Sequence, residues 1–265
     1  MLYLVATPIG NLSDFSERAI ATLQSVDLIL CEDTRHSQIL LNHYNIKKPL
    51  QSFHKFSEAK NEQEIIDKLH AGAKIALISD AGTPALADPG ERLVRRVIDE
   101  KLPLTAIPGA AALIMALILS GFSTTRFQFV GFLPKATNER QTALLDILSY
   151  SGTTVCYESP HQIQKTLEIL HELAPTRPLV IARELTKMYE ELLRGNAETL
   201  LSHEYRGEIV LLIEGAKVDP WAHLTLEEHV EYIEKAFHLS ELDAIKVVAR
   251  LRQVPKREVY KIKNL

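Results

Sequence analysis

The 265-residue sequence has no hydrophobic run long enough to cross a membrane. Its longest apolar run, Ala110 to Leu119, has about half of the ~20 residues that a spanning helix needs. The first residues, MLYLVATPIG, lack the basic segment of a signal peptide and lead directly into a strand-and-turn pattern. We therefore expect a cytoplasmic protein.

Cysteine and metal-binding patterns are also scarce. The only two cysteines, Cys31 and Cys156, each end an apolar run, which predicts buried thiols in strands rather than a disulfide. The cysteines do not have the spacing of a zinc site, and the ten histidines include no HExxH sequence. The sequence therefore predicts no metal.

Neither common phosphate-binding glycine motif, GxGxxG or GxxxxGK[ST], occurs in the sequence. A different loop-forming stretch, LISDAGTPALADPGERL, runs from Leu77 to Leu93 between an apolar segment and a helical pattern. Its two glycines, two prolines and three acidic residues are typical of a ligand-binding loop. We expect Asp88 in this loop to cap the helix that follows.

Charge is distributed unevenly along the chain. The formal net charge is −4, yet the segment from Lys246 to Leu265 contains seven Lys or Arg and one acidic residue. The segment thus carries +6 and the remaining 245 residues carry −10. A basic end on an acidic body indicates a polyanionic partner. The alternative interpretation is a solvated charged helix face.

Short apolar strands alternating with helices over residues 1–119 predict an α/β domain with a mainly parallel sheet, in which Ser13 or Asp14 caps the first helix. Residues 120–219 predict a second α/β domain with a mixed sheet. Residues 220–265 predict a basic helical extension, in which Thr225 and Ser240 each cap a helix. In parallel sheets, ligands bind beyond the carboxyl ends of the strands. We therefore expect TPIGN, SDAGTPALADPG and PGAAA to meet at one edge.

Eight motifs occur in order between Leu2 and Gly215: LYLVATPIGNLSD, CEDTRHS, ISDAGTPALADPG, IPGAAA, GFLPK, YESPHQ, ARELTK and GEIVLLIEG. Together they cover about four fifths of the chain and are very specific. The set resembles the ribosomal-RNA branch of the tetrapyrrole methylase superfamily. The basic helical tail is similar to the extension found in that branch.

The resemblance implies two α/β domains with S-adenosyl-L-methionine bound in the cleft between them, usually in a homodimer. It also implies a transferase that methylates the ribose 2′-hydroxyl of a cytidine in the decoding region of 16S rRNA, in the small ribosomal subunit. Because a fold does not fix the substrate, a methylase of a tetrapyrrole or another small acceptor remains an alternative. A third interpretation is a non-catalytic module that binds nucleotide or RNA.

The resemblance also assigns cofactor-binding residues. In the predicted first domain these are Pro8, Ile9, Asp80, Thr83, Pro84, Leu86, Ala111 and Ala112, and in the second they are Glu158, Arg183 and Glu208. Asp80 takes the place of the Asp in the superfamily's Gly-Asp-Pro motif. Without the resemblance, a helix-cap or turn carboxylate explains Asp80 equally well.

A ribose hydroxyl is a poor nucleophile, so alignment with the methyl donor and a nearby base or electrostatic aid would both raise the rate. Asp33 and Arg35 directly follow the second strand and are the catalytic candidates, although a helix cap with a local ion pair explains them equally well. The predicted RNA-binding residues are basic: Arg35, Lys187, Arg250, Arg252, Lys256 and Arg257. Such contacts to phosphate give affinity with little sequence choice.

Overall fold

A computed structural model describes residues 1–54, 58–216, 221–252 and 254–263. The chain forms two compact units. The first unit comprises Met1–Met115 and Glu184–Glu190, and the second comprises Ala116–Arg183 and Glu191–Leu265. The predicted domain boundaries stay predictions, and the one at residues 219 and 220 lies outside the described residues.

The first unit is built on a parallel sheet of short buried strands. Its strands are β1 (Leu2–Val5), β2 (Leu28–Cys31), β3 (Leu50–Ser52), β4 (Ile75–Leu77) and β5 (Leu104–Ile107). They pair in the order β3-β2-β4-β1-β5, and every pair is parallel. Five helices follow these strands: α1 (Glu17–Ser25), α2 (Thr34–His43), α3 (Glu58–His70), α4 (Glu91–Asp99) and α5 (Ala112–Ser120), of which the last extends beyond this unit.

Both faces of this sheet are covered, as the continuous apolar runs require. Successive residues of a strand point to opposite faces. In β2, Ile29 therefore packs in one hydrophobic cluster with Leu23 of α1, whereas Leu30 packs in the other cluster with Ile65 of α3. The predicted α/β class with a parallel first sheet is confirmed.

The start of the first helix differs from the prediction. The helix α1 is capped by Ser16, whose hydroxyl accepts from the backbone N–H of Ala19 at 3.1 Å. Ser13 and Asp14 instead lie in a short 3₁₀ turn, because Asn11 accepts the backbone N–H of Ser13 at 3.1 Å. The buried, extended Phe15 then separates the two helical segments.

The second unit contains a mixed sheet. Its described strands are β6 (Phe127–Phe132), β7 (Thr153–Glu158), β8 (Leu179–Arg183), β9 (Glu191–Gly195) and β10 (Ile209–Ile213), in the order β6-β7-β10-β8-β9. Only the β6–β7 pair of this described sheet is parallel, so the predicted mixed sheet is confirmed. The helices of this part are α6 (Thr137–Ser149), α7 (Ile163–Leu173) and α8 (Ala197–Leu200).

The C-terminal segment is helical, as predicted. It forms α9 (Leu226–Phe237), α10 (Glu241–Leu251) and α11 (Lys256–Lys263), with Thr225 and Ser240 as the expected caps of the first two. Their apolar residues join the core of the second unit, which also contains Cys156. Both cysteines are buried in strands as predicted. Among the described helices, none has the length and apolar character to span a bilayer.

Candidate active site

Three loops of the first unit meet at the carboxyl edge of its sheet. The backbone N–H of Thr7, after β1, donates to the carbonyl of Gly82, after β4, at 2.8 Å, and Gly82 donates back at 3.2 Å. The hydroxyl of Thr83 donates to the carbonyl of Ala110, after β5, at 3.1 Å. The expected convergence of the loops that follow β1, β4 and β5 is confirmed.

Glycine allows these loops to approach one another closely. A Cβ on Gly109 would lie 2.8 Å from the Cβ of Ala6, and a Cβ on Gly82 would lie 3.2 Å from Cγ2 of Ile9. Gly82 also has φ +82°, a conformation that favours glycine. The edge therefore presents backbone and small side chains, which allow close contact with a ligand.

The loop after β4 is held in an unusual backbone conformation. Ala85 and Ala87 have φ +64° and +65°, which costs a residue with a Cβ roughly 1 kcal/mol or more. Inside the loop, the hydroxyl of Ser79 lies 3.2 Å from the carbonyl of Gly82, and Thr7 donates to the carbonyl of Ser79 at 3.2 Å. These contacts fix the loop at the sheet edge, where strained conformations are typical of functional sites.

Acidic side chains cluster at the same edge. Asp80 follows β4 and its Oδ1 accepts from the backbone N–H of Asp33, which follows the neighbouring strand β2, at 3.3 Å. Burial, followed by the charge of Asp80, raises the pKa of Glu32. Burial, followed by the charges of Glu32 and Asp80, raises the pKa of Asp88 to about 6. The edge is therefore electronegative and favours a cationic ligand group.

Asp88 does not cap the next helix, contrary to the prediction. The N-cap of α4 is Gly90, with φ +127°, and it forms no side-chain cap. Gly90 also packs so closely that a Cβ would lie 2.5 Å from Cδ2 of Leu77. Because Gly90 takes the cap position, Asp88 is left half-buried in the preceding turn near the other carboxylates.

Asp33 and Arg35 form the helix cap and local ion pair that were one of their two interpretations. Asp33 caps α2 by accepting from the backbone N–H of Arg35 at 2.8 Å, and its Oδ2 lies 3.2 Å from Nη2 of Arg35. The hydrogen bonds from Arg35 lower the pKa of Asp33. The Arg35 side chain is 92% exposed, so the pair is accessible to a substrate. Their catalytic role stays a prediction.

The structure brings the predicted cofactor residues of the first unit together on its three loops. Asp80 contributes the carboxylate, and Thr83 is tied to the loop after β5. Three others are buried, namely Pro8, Ile9 and Pro84. The remaining three are half-buried, namely Leu86, Ala111 and Ala112.

Of the three predicted cofactor residues of the second unit, Glu158 and Arg183 have partners within that unit. Buried Glu158 accepts from the hydroxyl of Thr166 at 2.7 Å and from the backbone N–H of Ser159 at 3.1 Å. Arg183 donates to Glu191 at 2.8 Å, and Glu208 is exposed before β10. Their contact with a cofactor stays a prediction.

Most predicted RNA-binding residues of the tail are exposed, but Arg252 is not. Arg252 donates to the carbonyl of Leu224 at 2.6 Å, to the carbonyl of Trp221 and to Nδ1 of His229 at 3.1 Å. Its guanidinium thus joins α10 to the start of α9, and a phosphate contact would break these bonds. RNA binding by Arg252 stays a prediction, and it is less favourable than for the exposed residues of the tail.

The other basic residues differ in how far their charges are compensated. Arg250 forms an ion pair with Asp146 at 2.7 Å while its side chain is 66% exposed. Lys256 and Arg257 are exposed at the start of α11. Lys187 is part of the first unit and pairs with Glu184 at 2.8 Å. The charge of the tail is therefore carried on the surface of α10 and α11.

Sequence reasoning did not assign two exposed apolar residues that the structure places in the first unit. Met188 is 90% exposed and Tyr189 is 70% exposed, in the loop between β8 and β9. The described strand β9 begins only at Glu191, so both residues precede it.

Comparison with known proteins identifies similar sequences and folds. The family model of tetrapyrrole (corrin/porphyrin) methylases matches residues 1–201. The chain is 45% identical to the protein named ribosomal RNA small subunit methyltransferase I of Halalkalibacterium halodurans, over 98% of this chain and 93% of that protein. It is 42% identical to the protein of the same name from Bacillus subtilis, over 98% of this chain and 92% of that protein.

Solved structures match the fold at low identity. A uroporphyrin-III C-methyltransferase from Thermus thermophilus, complexed with S-adenosyl homocysteine, has a TM-score of 0.58 and 15% identity, covering 80% of this chain and 96% of that chain. The methyltransferase CobJ has a TM-score of 0.62 and 16% identity, covering 81% of this chain and 94% of that chain.

Proposed function

Because the chain belongs to the tetrapyrrole methylase family, we propose that it transfers a methyl group from S-adenosyl-L-methionine to small-subunit ribosomal RNA. The acceptor is the 2′-hydroxyl of a cytidine ribose in the decoding region of 16S rRNA. The observation that carries the proposal is the 45% identity over 98% of the chain to a protein named for small-subunit rRNA methylation.

The sheet edge of the first unit has the chemistry to hold this cofactor. Its ribose and methionine backbone need close approach to the main chain, which Gly82 and Gly109 allow. Its adenine needs an apolar surface, which Pro8, Ile9 and Leu86 supply. The carboxylate of Asp80, together with Glu32 and Asp88, makes this edge electronegative. Asp80 would therefore balance a positive charge of the cofactor.

The bound cofactor supplies an electrophilic methyl group on a positively charged sulfur. The protein's part is to hold the acceptor ribose in line and to exclude competing geometries, which is a large contribution to such reactions. Asp33 and Arg35 project from the start of α2 at the same edge. Arg35 would bind a phosphate beside the acceptor nucleotide, and Asp33 would orient Arg35.

The exposed basic residues of the C-terminal helices would contact RNA phosphates. Lys256 and Arg257 lie exposed on α11, and Arg250 on α10 is largely exposed despite its ion pair. Phosphate contacts of this type add affinity with little sequence preference. Folded RNA is recognised largely by shape, which suits an assembled subunit as the substrate.

We also propose that the protein acts as a homodimer in the cytoplasm. The strand β6 is an edge strand of its sheet and exposes the apolar side chains of Phe127, Val130 and Phe132. Exposed apolar patches of this kind are typical of contacts between proteins. A substrate in the small ribosomal subunit requires the enzyme to act in the compartment where ribosomes are assembled.

Transfer of labelled methyl from S-adenosyl-L-methionine tests the proposed function. Small ribosomal subunits that lack the modification and a tetrapyrrole acid are offered in parallel reactions. We expect label in 16S rRNA, with one ribose made resistant to alkaline cleavage. Label in the tetrapyrrole alone would retain the cofactor assignment but refute the RNA substrate, and label in neither would refute both.

A further inference from the structure

The loop between β8 and β9, Glu184–Glu190, is a built structure within the first unit. The backbone N–H of Lys187 donates to the carbonyl of Glu184 at 3.0 Å, and that of Glu190 donates to the carbonyl of Lys187 at 3.1 Å. A carboxylate oxygen of Glu190 accepts from the backbone N–H of Thr186 at 2.6 Å. Two successive turns therefore close the loop.

The same loop holds two residues in a costly backbone conformation. Glu184 has φ +51° and Thr186 has φ +67°, which is unfavourable for residues with a Cβ, above all for β-branched threonine. Leu185 between them is 5% exposed and anchors the loop in the protein. A strained but well-anchored loop is typical of a segment whose shape is needed for a contact.

The loop lies against the turn that follows β1. The aliphatic part of Lys187 covers Gly10 so closely that a Cβ on Gly10 would lie 2.4 Å from Cγ of Lys187. Gly10 directly follows Pro8 and Ile9, the apolar residues of the candidate cofactor edge. The loop therefore lies next to the turn that carries two of the predicted cofactor residues.

The tip itself presents apolar side chains to solvent. Met188 is 90% exposed, the highest value among the exposed large hydrophobic residues of the described chain, and Tyr189 next to it is 70% exposed. Burying apolar side chains stabilises a protein, so packing within this chain does not explain why these two side chains are exposed.

The net charge of the loop favours contact with the base of a nucleotide over contact with its phosphate. Glu184 and Glu190 outnumber Lys187, and the Lys187 ammonium already lies 2.8 Å from Glu184. A net acidic loop repels a phosphate. A neutral base, in contrast, can stack on an exposed aromatic ring, as unpaired bases do in RNA–protein complexes.

We propose that Tyr189, flanked by Met188, stacks on an unpaired base of the RNA substrate next to the ribose that is methylated. The contact gives the enzyme a means of holding the acceptor nucleotide out of its helical stack. This inference rests on the proposed function, because it requires RNA as the acceptor.

Three variants test the stacking contact: Tyr189→Ala, Tyr189→Phe and, as a control, Ile98→Ala. Ile98 on α4 is also an exposed large hydrophobic residue, at 56%, and has no proposed role in binding. Methyl transfer to unmodified small subunits is measured over a range of subunit concentrations, and cofactor affinity is measured by calorimetry. We expect Tyr189→Ala to raise KM for the subunit about tenfold, the order of one lost stacking contact. KM for Tyr189→Phe should stay within about twofold of the wild-type value, because ring stacking needs no hydroxyl. KM for Ile98→Ala, and the affinity of all three variants for S-adenosyl-L-methionine, should also stay within about twofold.

The outcomes distinguish this inference from the proposed function. If the wild-type protein methylates no RNA, the proposed function fails and the inference fails with it. If the wild-type protein methylates RNA and Tyr189→Ala has an unchanged KM, the inference alone is refuted. Loss of activity in Tyr189→Phe as well as Tyr189→Ala, or a changed oligomeric state by light scattering, would also overturn it in favour of a hydroxyl or subunit contact.

Discussion

Replacing Asp88 by Asn should make the protein more stable at neutral pH. Asp88 is half-buried near Glu32 and Asp80, and burial followed by these two charges raises its pKa from 3.8 to about 6. At pH 7 the group is ionised in both the folded and the unfolded chain, but the ionised form is disfavoured only in the folded one. Asn has similar volume and carries no charge, so the variant avoids this cost.

The size of the effect follows from the shift in pKa. A shift of about two units corresponds to roughly 3 kcal/mol at 1.36 kcal/mol per unit. Because Asp88 is partly exposed, solvent screens the charges, and we expect about 1–2 kcal/mol. Between pH ~4 and pH ~6 the folded chain binds the extra proton, so the wild-type free energy of unfolding falls as pH rises through this range. The advantage of the variant should therefore be absent below pH ~4 and fully present above pH ~6.

Urea denaturation at several pH values between 4 and 8 measures this difference. Far-UV circular dichroism follows both units, and fluorescence of Trp221, the single tryptophan, follows the second unit. Asp99→Asn is the control, because its side chain is 56% exposed and pairs with Arg95 at 3.3 Å. The control should change stability by less than about 0.5 kcal/mol. A stability gain for Asp88→Asn that is missing at pH 7.5, or equally large at pH 4, would refute the reasoning.

Two other substitutions test the assignments made from the structure. Arg252→Ala should lower the free energy of unfolding by about 2–3 kcal/mol, because it removes the hydrogen bonds that the guanidinium donates to the carbonyls of Trp221 and Leu224 and to His229. Arg257→Ala, on the exposed face, should change it by less than about 0.5 kcal/mol, and equal effects in urea denaturation would contradict the inward role of Arg252. Asp80→Ala should weaken S-adenosyl-L-methionine binding about tenfold in calorimetry, the usual order for one charge-assisted contact, and unchanged affinity would remove Asp80 from the cofactor site.

Local patterns in the sequence were sufficient for most of the secondary structure. The apolar runs before Thr7, Glu32 and Asp80 are strands, and Thr225 and Ser240 cap helices as predicted. The predicted helix caps were wrong at two helices, α1 and α4, where another residue close by takes the cap position. Ser16 caps α1, and Gly90 occupies the position expected of Asp88, because close packing against Leu77 requires a glycine there.

The candidate site was predictable as a set of loops but not as a set of contacts. Parallel strands bring their carboxyl ends to one edge, so the motifs after β1, β4 and β5 could be expected together before their distances were known. The raised pKa of Asp88 could not be expected, since it depends on burial and on the charges of Glu32 and Asp80, which follow two neighbouring strands. Likewise, the charge of Arg252 predicted an RNA contact, but its hydrogen bonds to Leu224 and His229 depend on the tertiary structure and could not be expected.

The sequence by itself determined the α/β class, the order of helices and strands, the family and the basic character of the C-terminal segment. Each of these depends on residue type and on spacing along the chain, both of which the linear sequence contains. The tertiary structure alone decided which charges face solvent and which side chains meet. It turned Arg252 inward, left Asp88 among carboxylates and placed Lys187 against the turn at Gly10. These outcomes depend on contacts between residues far apart in the chain, and no local pattern specifies them.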